Sequence, residues 1–523
     1  MRLVLVLAVS LLLPEGNLSA QPVINTAALH DASSAPASLP NSAIAPGGRF
    51  YLFGTGLGPS PEATSRQGAR ELGGTSVRVQ IGATSVDALL LFASARELIA
   101  FLPRDTPLGE GTVSVTFNGR TSARTVPITV AKNSFGLYTL NSIGNGPADA
   151  LNIAGGRDFE NHILSPAPAG ARISLIGTGV GLEEPAVEVV IGGKTVAPRV
   201  VDRFTNGLDE IIFDLPEGLS GCYVPVAVRV AGLISNYGTI AVESSDGRCG
   251  DDFGIPDSAF ARVREGGPMR IGTITPNRFR SGEFIEDAIN GSFVQLTQRE
   301  VLRSWGPLAA PSPGYCTVVY TQETTLPIDP IDPDPIAGGV LTFATPKRTI
   351  SLSPNRNGFY SLALGDERNP FFEAGEYMLS NGRGGADVGP LTSKFVLSEP
   401  FQWTNQAEVP ELVPRDRDLV IKWSGAQADD DVLIYGGGSP NSLGGAMFIC
   451  AAKGSASEFT VPAQILASLP KLDFFNSNDD GAFGGAIWVV RAPSLVKSKF
   501  TAEGLDAGYY YFQELLANTF KFE

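Results

Sequence analysis

Two stretches of the chain carry the same series of short motifs in the same order. The first runs from Pro46 into the loop GTGLG at 54–58, and the second runs from Pro168 into GTGVG at 177–181. Each continues with an alternating Val-rich run, a Leu-Pro pair and a second alternating run that ends in glycine. The matching motifs are offset by 123, 110, 113 and 113 residues, which predicts two copies of one domain. The 13-residue excess in the first copy falls between 58 and 77, where the composition predicts a loop.

Alternation within both copies predicts short, half-buried strands. In VRVQI at 77–81 and in VSVTF at 113–117, apolar residues alternate with polar ones, so one face of each strand should be buried. Asn118-Gly119 then favours a tight hairpin, because both residues accept a positive φ. The 60 glycines and 38 prolines among 523 residues indicate many further turns. These features predict an all-β fold, a string of immunoglobulin-like β-sandwich domains.

The order of these motifs resembles that of IPT/TIG-type immunoglobulin-like domains. The resemblance is carried by the Pro-Gly start, the GTGLG loop, the VxVxIG strand, the Leu-Pro strand end and the VxVxxNG hairpin. The tandem pair is also similar to paired repeats of exported acidobacterial proteins. This likeness covers about residues 22–250 and is weaker in the C-terminal half. It implies a role in binding or spacing, and no catalytic residues carry over from it.

The rest of the chain also has the pattern of β-strands separated by turn-rich segments. A polar segment at 244–252 ends the second repeat, and a strand-rich module closes near residue 400. We therefore predict a signal peptide at 1–20, sandwich repeats at 21–131 and 132–250, and further β-sandwich modules at 262–400 and 401–523.

The N-terminal residues have the pattern of a secretory signal peptide. Arg2 precedes an apolar run at 3–13 that is too short to span a bilayer, and cleavage is expected after Ala20. No later run approaches the roughly 20 apolar residues of a transmembrane helix. The sequence therefore predicts an exported protein, in the periplasm, at the cell surface or outside the cell, without a transmembrane segment.

Four cysteines fit an oxidising compartment, in which disulfides persist. Four cysteines allow three pairings, and proximity along the chain favours Cys222–Cys249 and Cys316–Cys450. For Cys316 and Cys450, two buried free thiols remain the alternative.

Charge and histidine content exclude several classes of function. With 39 Lys and Arg against 54 Asp and Glu, the net charge is −15, which repels phosphate backbones and anionic membrane surfaces. Nucleic acid is therefore not an expected partner. Only His30 and His162 are present, so a multi-histidine metal centre is excluded and a catalytic histidine has two places to occur. We expect no enzymatic activity and no catalytic residues.

One segment has the spacing of half a calcium-binding loop. Asn476, Asn478 and Asp480 supply oxygen atoms at alternate positions before Gly481, as in the first half of an EF-hand loop. The twelfth position is Ile487, which offers no bidentate carboxylate, and a hairpin tip is the competing interpretation. Calcium is the one cofactor that the sequence leaves open.

Two other features point to ligands only weakly. The glycine loops at 54–58 and 177–181 have the composition of phosphate-binding loops, but neither a helix nor a Lys-Ser/Thr pair follows, so tight turns are expected. The four tryptophans could stack on sugars, although a tryptophan within a strand is more often part of a core. They are Trp305, Trp403, Trp423 and Trp488.

These observations favour an exported, non-enzymatic, multi-domain protein with a binding, adhesion or structural role at the cell surface or outside. Its partner would be an extracellular ligand, either a glycan or a protein. Two alternatives stay open. One is a carbohydrate-active or other hydrolytic protein with accessory immunoglobulin-like domains, and the other is a calcium-dependent ligand-binding protein.

Overall fold

The computed structural model describes residues 21–25, 27–33, 39–244, 248–250, 253–303, 311–322, 333–397, 400–440, 444–473 and 483–523. Strands make up 52% of the described residues and helices 5%, which confirms the all-β prediction. The helices are short, and none among the described residues is long and apolar enough to cross a membrane. They are Asp257–Arg264, Gln298–Arg303 and Ala463–Leu466, with 3-10 turns at Gln406–Glu408 and Gly454–Ala456.

The first sandwich, residues 23–130, consists of two antiparallel sheets packed face to face. Val77, Val79 and Ile81 are buried against Phe50 and Leu52 of the opposite sheet, as the alternation predicted. One sheet has the spatial order Val23–Ile24, Arg49–Thr55, Glu97–Phe101, Leu89–Ala93 and Ala63–Ala69, with Leu29–His30 also on Arg49–Thr55. The other has the order Arg120–Thr121, Gly109–Phe117, Thr75–Ile81 and Thr84–Asp87, with Val126–Val130 also on Gly109–Phe117.

The second sandwich, residues 136–242, repeats this arrangement. Arg172–Thr178 takes the place of Arg49–Thr55, and Val187–Ile191 pairs with Gly221–Val230 as Thr75–Ile81 pairs with Gly109–Phe117. One sheet has the order Arg157–Glu160, Ala150–Ala154, Arg172–Thr178, Asp209–Asp214 and Val200–Arg203, with Gly136–Leu137 also on Arg172–Thr178. The other has the order Lys194–Val196, Val187–Ile191, Gly221–Val230 and Leu233–Ile234, with Gly238–Val242 also on Gly221–Val230.

The copies differ locally, and two of the differences bear on the sequence predictions. The excess residues of the first copy include the edge strand Ala63–Ala69, paired with Leu89–Ala93, so the expectation of a plain loop there was wrong. The predicted hairpin at Asn118-Gly119 is confirmed, with φ of 49° and 75°. At the equivalent turn of the second copy, Ala231 adopts φ of 50°, where a side chain is disfavoured.

The C-terminal half is built around one 11-stranded sheet that draws strands from both sides of residue 400. Its order is Cys316–Gln322, Gly444–Lys453, Asp431–Ser439, Phe483–Ala492, Gln513–Thr519, Met269–Ser281, Phe284–Leu296 and Asp334–Pro335. Phe359–Asp366 also pairs with Phe284–Leu296, Ala507–Tyr510 lies parallel to Met269–Ser281, and Lys499–Phe500 pairs with Ala507–Tyr510.

Smaller sheets cover this large sheet and form two separate cores. One is a four-stranded sheet that packs around Phe293, Phe343 and Tyr377. Its strands are Leu341–Ala344, Thr349–Leu352, Gly375–Ser380 and Thr392–Leu397. Gln402–Trp403, Leu419–Ser424 and Glu458–Val461 form a three-stranded sheet, and Leu412–Val413 lies parallel to Lys521–Phe522. These elements pack around Trp423, Phe448 and Ile487.

The predicted division into modules 262–400 and 401–523 is therefore not followed by the strand pairing. Both sandwich cores share the large sheet, and its neighbouring strands come from distant parts of the chain. The alternating pattern of a strand reveals which face is buried but not which strand lies beside it, so a sequence boundary could not expose this sharing.

Both predicted disulfides are present. Cys222–Cys249 closes the end of the second sandwich, with a Cα–Cα distance of 4.9 Å. Cys316 and Cys450 are direct neighbours on adjacent strands of the large sheet and are 134 residues apart along the chain. The second disulfide thus ties together the two segments that the sequence had assigned to different modules.

Candidate functional site

A cleft of about 230 Å³ opens between the first and second sandwiches, and we call it the inter-repeat cleft. It lies where the loop after Arg172–Thr178 meets the start of the strand Arg49–Thr55 of the other copy. The first sandwich contributes Pro46, Gly47, Gly48, Leu89, Phe101, Pro103 and Arg104. The second contributes Gly179, Gly181, Leu182, Arg203, Phe204, Thr205, Gly207 and Asp209.

Polar contacts hold the two sandwiches together beside the cleft. The backbone N–H of Arg49 donates to Oγ1 of Thr178 at 3.0 Å, and its Nε donates to the carbonyl of Asn206 at 2.8 Å. The Thr178 hydroxyl in turn donates to the carbonyl of Gly207 at 2.5 Å. Because Arg49 and Thr178 are mostly buried, these bonds fix the relative position of the two walls.

The second glycine loop forms part of this interface. A Cβ at Gly179 would lie 1.9 Å from the carbonyl oxygen of Ser134, and φ there is +99°. No helix follows the loop, and its N–H at Val180 donates to the Asp209 carboxylate at 2.8 Å. The loop is therefore a close-packed turn, as the sequence predicted. Gly179 permits backbone contact between the second sandwich and the segment at 131–135 that joins the two sandwiches.

Three charged side chains line the cleft. Asp209 is 7% exposed and accepts its hydrogen bond from Val180, while burial raises its pKa to about 6. Arg203 and Arg104 line the same cleft, and their positive charges lower that pKa in part. Arg203 donates from Nη2 to the carbonyl of Glu183 at 2.6 Å, and its buried Nε has no hydrogen-bond partner among the described residues.

Apolar side chains stand next to these charges. Phe204 is 44% exposed and Leu182 is 41% exposed, although both are large hydrophobic residues. The turn that carries Phe204 is closed by two backbone hydrogen bonds, from Phe204 to Leu208 at 2.8 Å and from Gly207 to Phe204 at 3.3 Å. The cleft thus combines a firmly held apolar rim with a small number of charged groups, the composition typical of small-ligand sites.

A buried polar cluster supports the cleft from behind. His30 is 1% exposed, its Nε2 donates to the carbonyl of Ser134 at 2.8 Å, and its Nδ1 accepts from the N–H of Ser33 at 3.3 Å. Burial lowers the His30 pKa to about 4. Asp31 accepts a short hydrogen bond from the Tyr138 hydroxyl, and burial raises its pKa. With both ring nitrogens engaged, His30 links the two sandwiches and has no free nitrogen for proton transfer.

The other histidine, His162, also contacts the backbone. Nδ1 of His162 accepts from the N–H of Leu164 at 3.2 Å, and burial lowers its pKa. Among the described residues, no group of three or more His, Cys, Asp or Glu could hold a metal ion. The calcium candidates Asn476, Asn478 and Asp480 lie outside the described residues.

Two tryptophans lie in the main C-terminal core, and a third packs against a smaller buried cluster. Trp403 and Trp423 are 6% and 3% exposed and belong to a core, as expected for tryptophans in strands. Trp488 is only partly buried and lies beside Tyr435 on the opposite face of the large sheet. Trp305 lies outside the described residues.

A second, smaller pocket of about 80 Å³ lies where the large sheet meets the second sandwich. Its aromatic walls include Tyr223, Tyr435 and Tyr511. The carboxylate in its lining belongs to Asp431, which is paired with Lys453 at 2.6 Å. Since that charge is compensated within the protein and the pocket is small, the inter-repeat cleft is the better candidate for a ligand.

Sequence reasoning did not single out the charged residues of the cleft. Arg104 lies 99 residues before Arg203, and Asp209 begins the strand that follows the one ending at Arg203, so no local motif contains all three. The repeat itself was the only available signal. Two copies joined by a short linker must meet at some surface, and the loops at that surface are the expected place for function.

Comparisons with known proteins add little to this description. No protein-family model matches the chain, and no curated protein matches it significantly. One solved structure with some likeness is SGBP-B of the Bacteroides ovatus mixed-linkage glucan utilization locus, bound to a heptasaccharide. It is 13% identical, with 62% of this chain and 65% of that chain covered and a TM-score of 0.20.

Two further solved structures have similar scores. Tandem immunoglobulin domains of titin are 9% identical, with 43% of this chain and 97% of that chain covered and a TM-score of 0.13. A calcium-stabilised, ice-binding adhesin of an Antarctic bacterium is 12% identical, with 94% and 99% covered and a TM-score of 0.12. Scores of this size support no argument about function, and the all-β assignment rests on the sheets themselves.

Proposed function

We propose that this chain is an exported, non-enzymatic binding protein that captures an extracellular ligand in the inter-repeat cleft. The C-terminal half would then serve as a rigid base, and the two N-terminal sandwiches, which we take to be of the IPT/TIG type, would present the site. Its place of action would be the cell surface or the exterior.

The observation that carries this proposal is the composition of the cleft. Large apolar side chains are more than 40% exposed at Phe204 and Leu182, directly beside two guanidinium groups without ion-pair partners among the described residues. Exposed apolar surface costs free energy in water, as does a guanidinium N–H without an acceptor. A bound ligand would remove both costs.

Compartment and charge agree with this role. Two disulfides are typical of exported proteins, and a net charge of −15 keeps an extracellular protein soluble while disfavouring nucleic acid. Both ring nitrogens of His30 are engaged in hydrogen bonds, and Nδ1 of His162 accepts one from the backbone of Leu164, which supports a role without acid–base catalysis.

The proposal is tested with the mature chain, residues 21–523, and its Phe204→Ala variant. Binding to a panel of soluble polysaccharides and extracellular matrix proteins is measured as retarded migration in affinity electrophoresis. Phe359→Ala is the matched control, because Phe359 is 48% exposed on a strand of the C-terminal half. Each measurement is made with calcium and with a chelator, and each polysaccharide is checked for newly released reducing ends.

We expect at least one panel member to bind the wild type and the Phe359→Ala control but to lose most of its affinity for Phe204→Ala. If no member distinguishes Phe204→Ala from the control, the cleft is not the binding site. Release of reducing ends would replace the binding function by hydrolysis, and binding that disappears on chelation would favour the calcium-dependent alternative.

A further inference from the structure

The lining of the inter-repeat cleft carries a net positive charge on a strongly acidic chain. Arg104 and Arg203 contribute two positive charges, and Asp209 contributes one negative charge. Neither arginine forms an ion pair with a described residue, and Nη2 of Arg203 donates to the neutral carbonyl of Glu183. Guanidinium groups bind carboxylates through paired, charge-assisted hydrogen bonds, so this lining favours an anionic ligand.

Asp209 limits how much negative charge the ligand can carry. Asp209 is 7% exposed, so little water would screen its carboxylate from a charge on the ligand. With a pKa of about 6 it is mainly ionised at neutral pH. A dianion such as phosphate would exceed the positive charge of the lining and face this carboxylate, whereas a single negative charge balances the lining.

The same carboxylate and the apolar rim define the rest of the ligand. An ionised carboxylate only accepts hydrogen bonds, so Asp209 suits a ligand that also offers hydroxyl donors. Phe204 and Leu182 suit an apolar face on that ligand. A sugar acid unites one negative charge, several hydroxyl groups and a C–H face. A fatty acid lacks the hydroxyl donors, and a neutral sugar leaves the net positive charge of the lining uncompensated.

We propose that the inter-repeat cleft binds a carboxylated sugar ring, such as a uronic acid unit of an acidic polysaccharide. Its carboxylate lies against Arg104 and Arg203, its hydroxyl groups face Asp209, and its ring contacts Phe204. This inference rests on the binding function proposed above and names the class of ligand for that same site.

The test compares two trisaccharides that differ in their carboxylates. Trigalacturonate and galactotriose are titrated into the mature chain by calorimetry, and inorganic phosphate is added as a competing anion. The same titrations are made with Arg104→Gln, Arg203→Gln and the control Arg124→Gln. Arg124 is an exposed residue of the first sandwich outside the cleft, and its removal changes the net charge equally. Circular dichroism and melting temperature establish that each variant is folded.

We expect trigalacturonate to bind at least tenfold more tightly than galactotriose, and millimolar phosphate not to displace it. Each cleft arginine variant should lose at least tenfold in affinity, while Arg124→Gln stays within twofold of the wild type.

Three results would overturn the inference. Equal affinity for the two trisaccharides, or unchanged affinity in both cleft variants, would refute carboxylate recognition. Competition by phosphate as effective as trigalacturonate would reduce the cleft to a general anion site. Absence of trigalacturonate binding would also refute it, and the comparison of Phe204→Ala with its control across the ligand panel would then decide separately whether the cleft binds anything.

Discussion

A buried ion pair at the centre of the C-terminal half should control the stability of that half. Arg278 and Asp287 are direct cross-strand neighbours on the large sheet, 8% and 0% exposed. Nε and Nη2 of Arg278 each donate to the carboxylate at 2.7 Å. The same carboxylate accepts from the backbone N–H groups of Phe371 and Phe372 at 2.6 and 3.1 Å. The pair therefore anchors the segment beside the four-stranded sheet to the large sheet.

Asp287→Asn keeps the shape of the side chain but removes its charge. The arginine stays buried without its counter-charge, and the new amide group presents N–H donors towards existing donors. Breaking a buried pair by removal of one partner costs about 3–5 kcal/mol. For a folding unit of about 250 residues, such as the C-terminal half, that loss lowers the melting temperature by about 6–20 °C.

The measurement is thermal unfolding of residues 21–523 followed by calorimetry, with Glu286→Gln as the control. Glu286 is the preceding residue, is exposed, and loses the same charge. A double variant, Arg278→Met with Asp287→Leu, should be more stable than Asp287→Leu alone, because no unpaired charge remains buried. If Asp287→Asn lowers the melting temperature no more than Glu286→Gln, or if the double variant is the less stable one, the argument from buried charge is wrong.

Two further predictions concern the interface between the N-terminal sandwiches. On acidification from pH 6.5 to 4, His30 is protonated in the unfolded chain before it is protonated in the folded chain, so the free energy of unfolding falls by up to about 3 kcal/mol. Asp209 has a raised pKa in the folded chain, so between about pH 6 and 3.8 its protonation stabilises the fold instead. The free energy of unfolding, measured by urea titration, should therefore fall more between pH 7 and pH 4.5 for Asp209→Asn than for the wild type. It should fall less for His30→Gln. An equal fall for the wild type and both variants would contradict both assignments. Gly179→Ala should lower the melting temperature much further than Gly193→Ala, because both positions have positive φ but only Gly179 would clash, with the carbonyl of Ser134. Similar losses at the two glycines would mean that the sandwiches are not packed closely there.

The fold of the N-terminal half could be predicted because its signals are local. The burial of Val77, Val79 and Ile81 follows from alternation along one strand, and the hairpin at Asn118-Gly119 follows from two adjacent residues. The second copy shows the same alternation in a different segment, which supports the same strand prediction. The edge strand Ala63–Ala69 was missed because its polar composition, ATSRQGA, resembles that of a loop.

The C-terminal half was harder to predict because its organisation depends on partners far away in sequence. The disulfide between Cys316 and Cys450 was predicted correctly. It requires strands on the two sides of residue 400 to be neighbours, which the predicted boundary between modules at that residue did not allow for. Trp488 shows the same difficulty at the level of one residue. Its strand was predicted, but its partly exposed position beside Tyr435 depends on which face the smaller sheets cover.

The sequence by itself determined the β class, the repeat and the turn glycines, because each depends on residue types at short and regular spacing. Only the tertiary structure decided that two cores share one sheet and that His30 is buried between sandwiches. It also decided that Arg104 and Arg203, 99 residues apart in the chain, line the same cleft. Contacts of this kind follow from how whole sheets pack against each other, and no pattern of neighbouring residues encodes them.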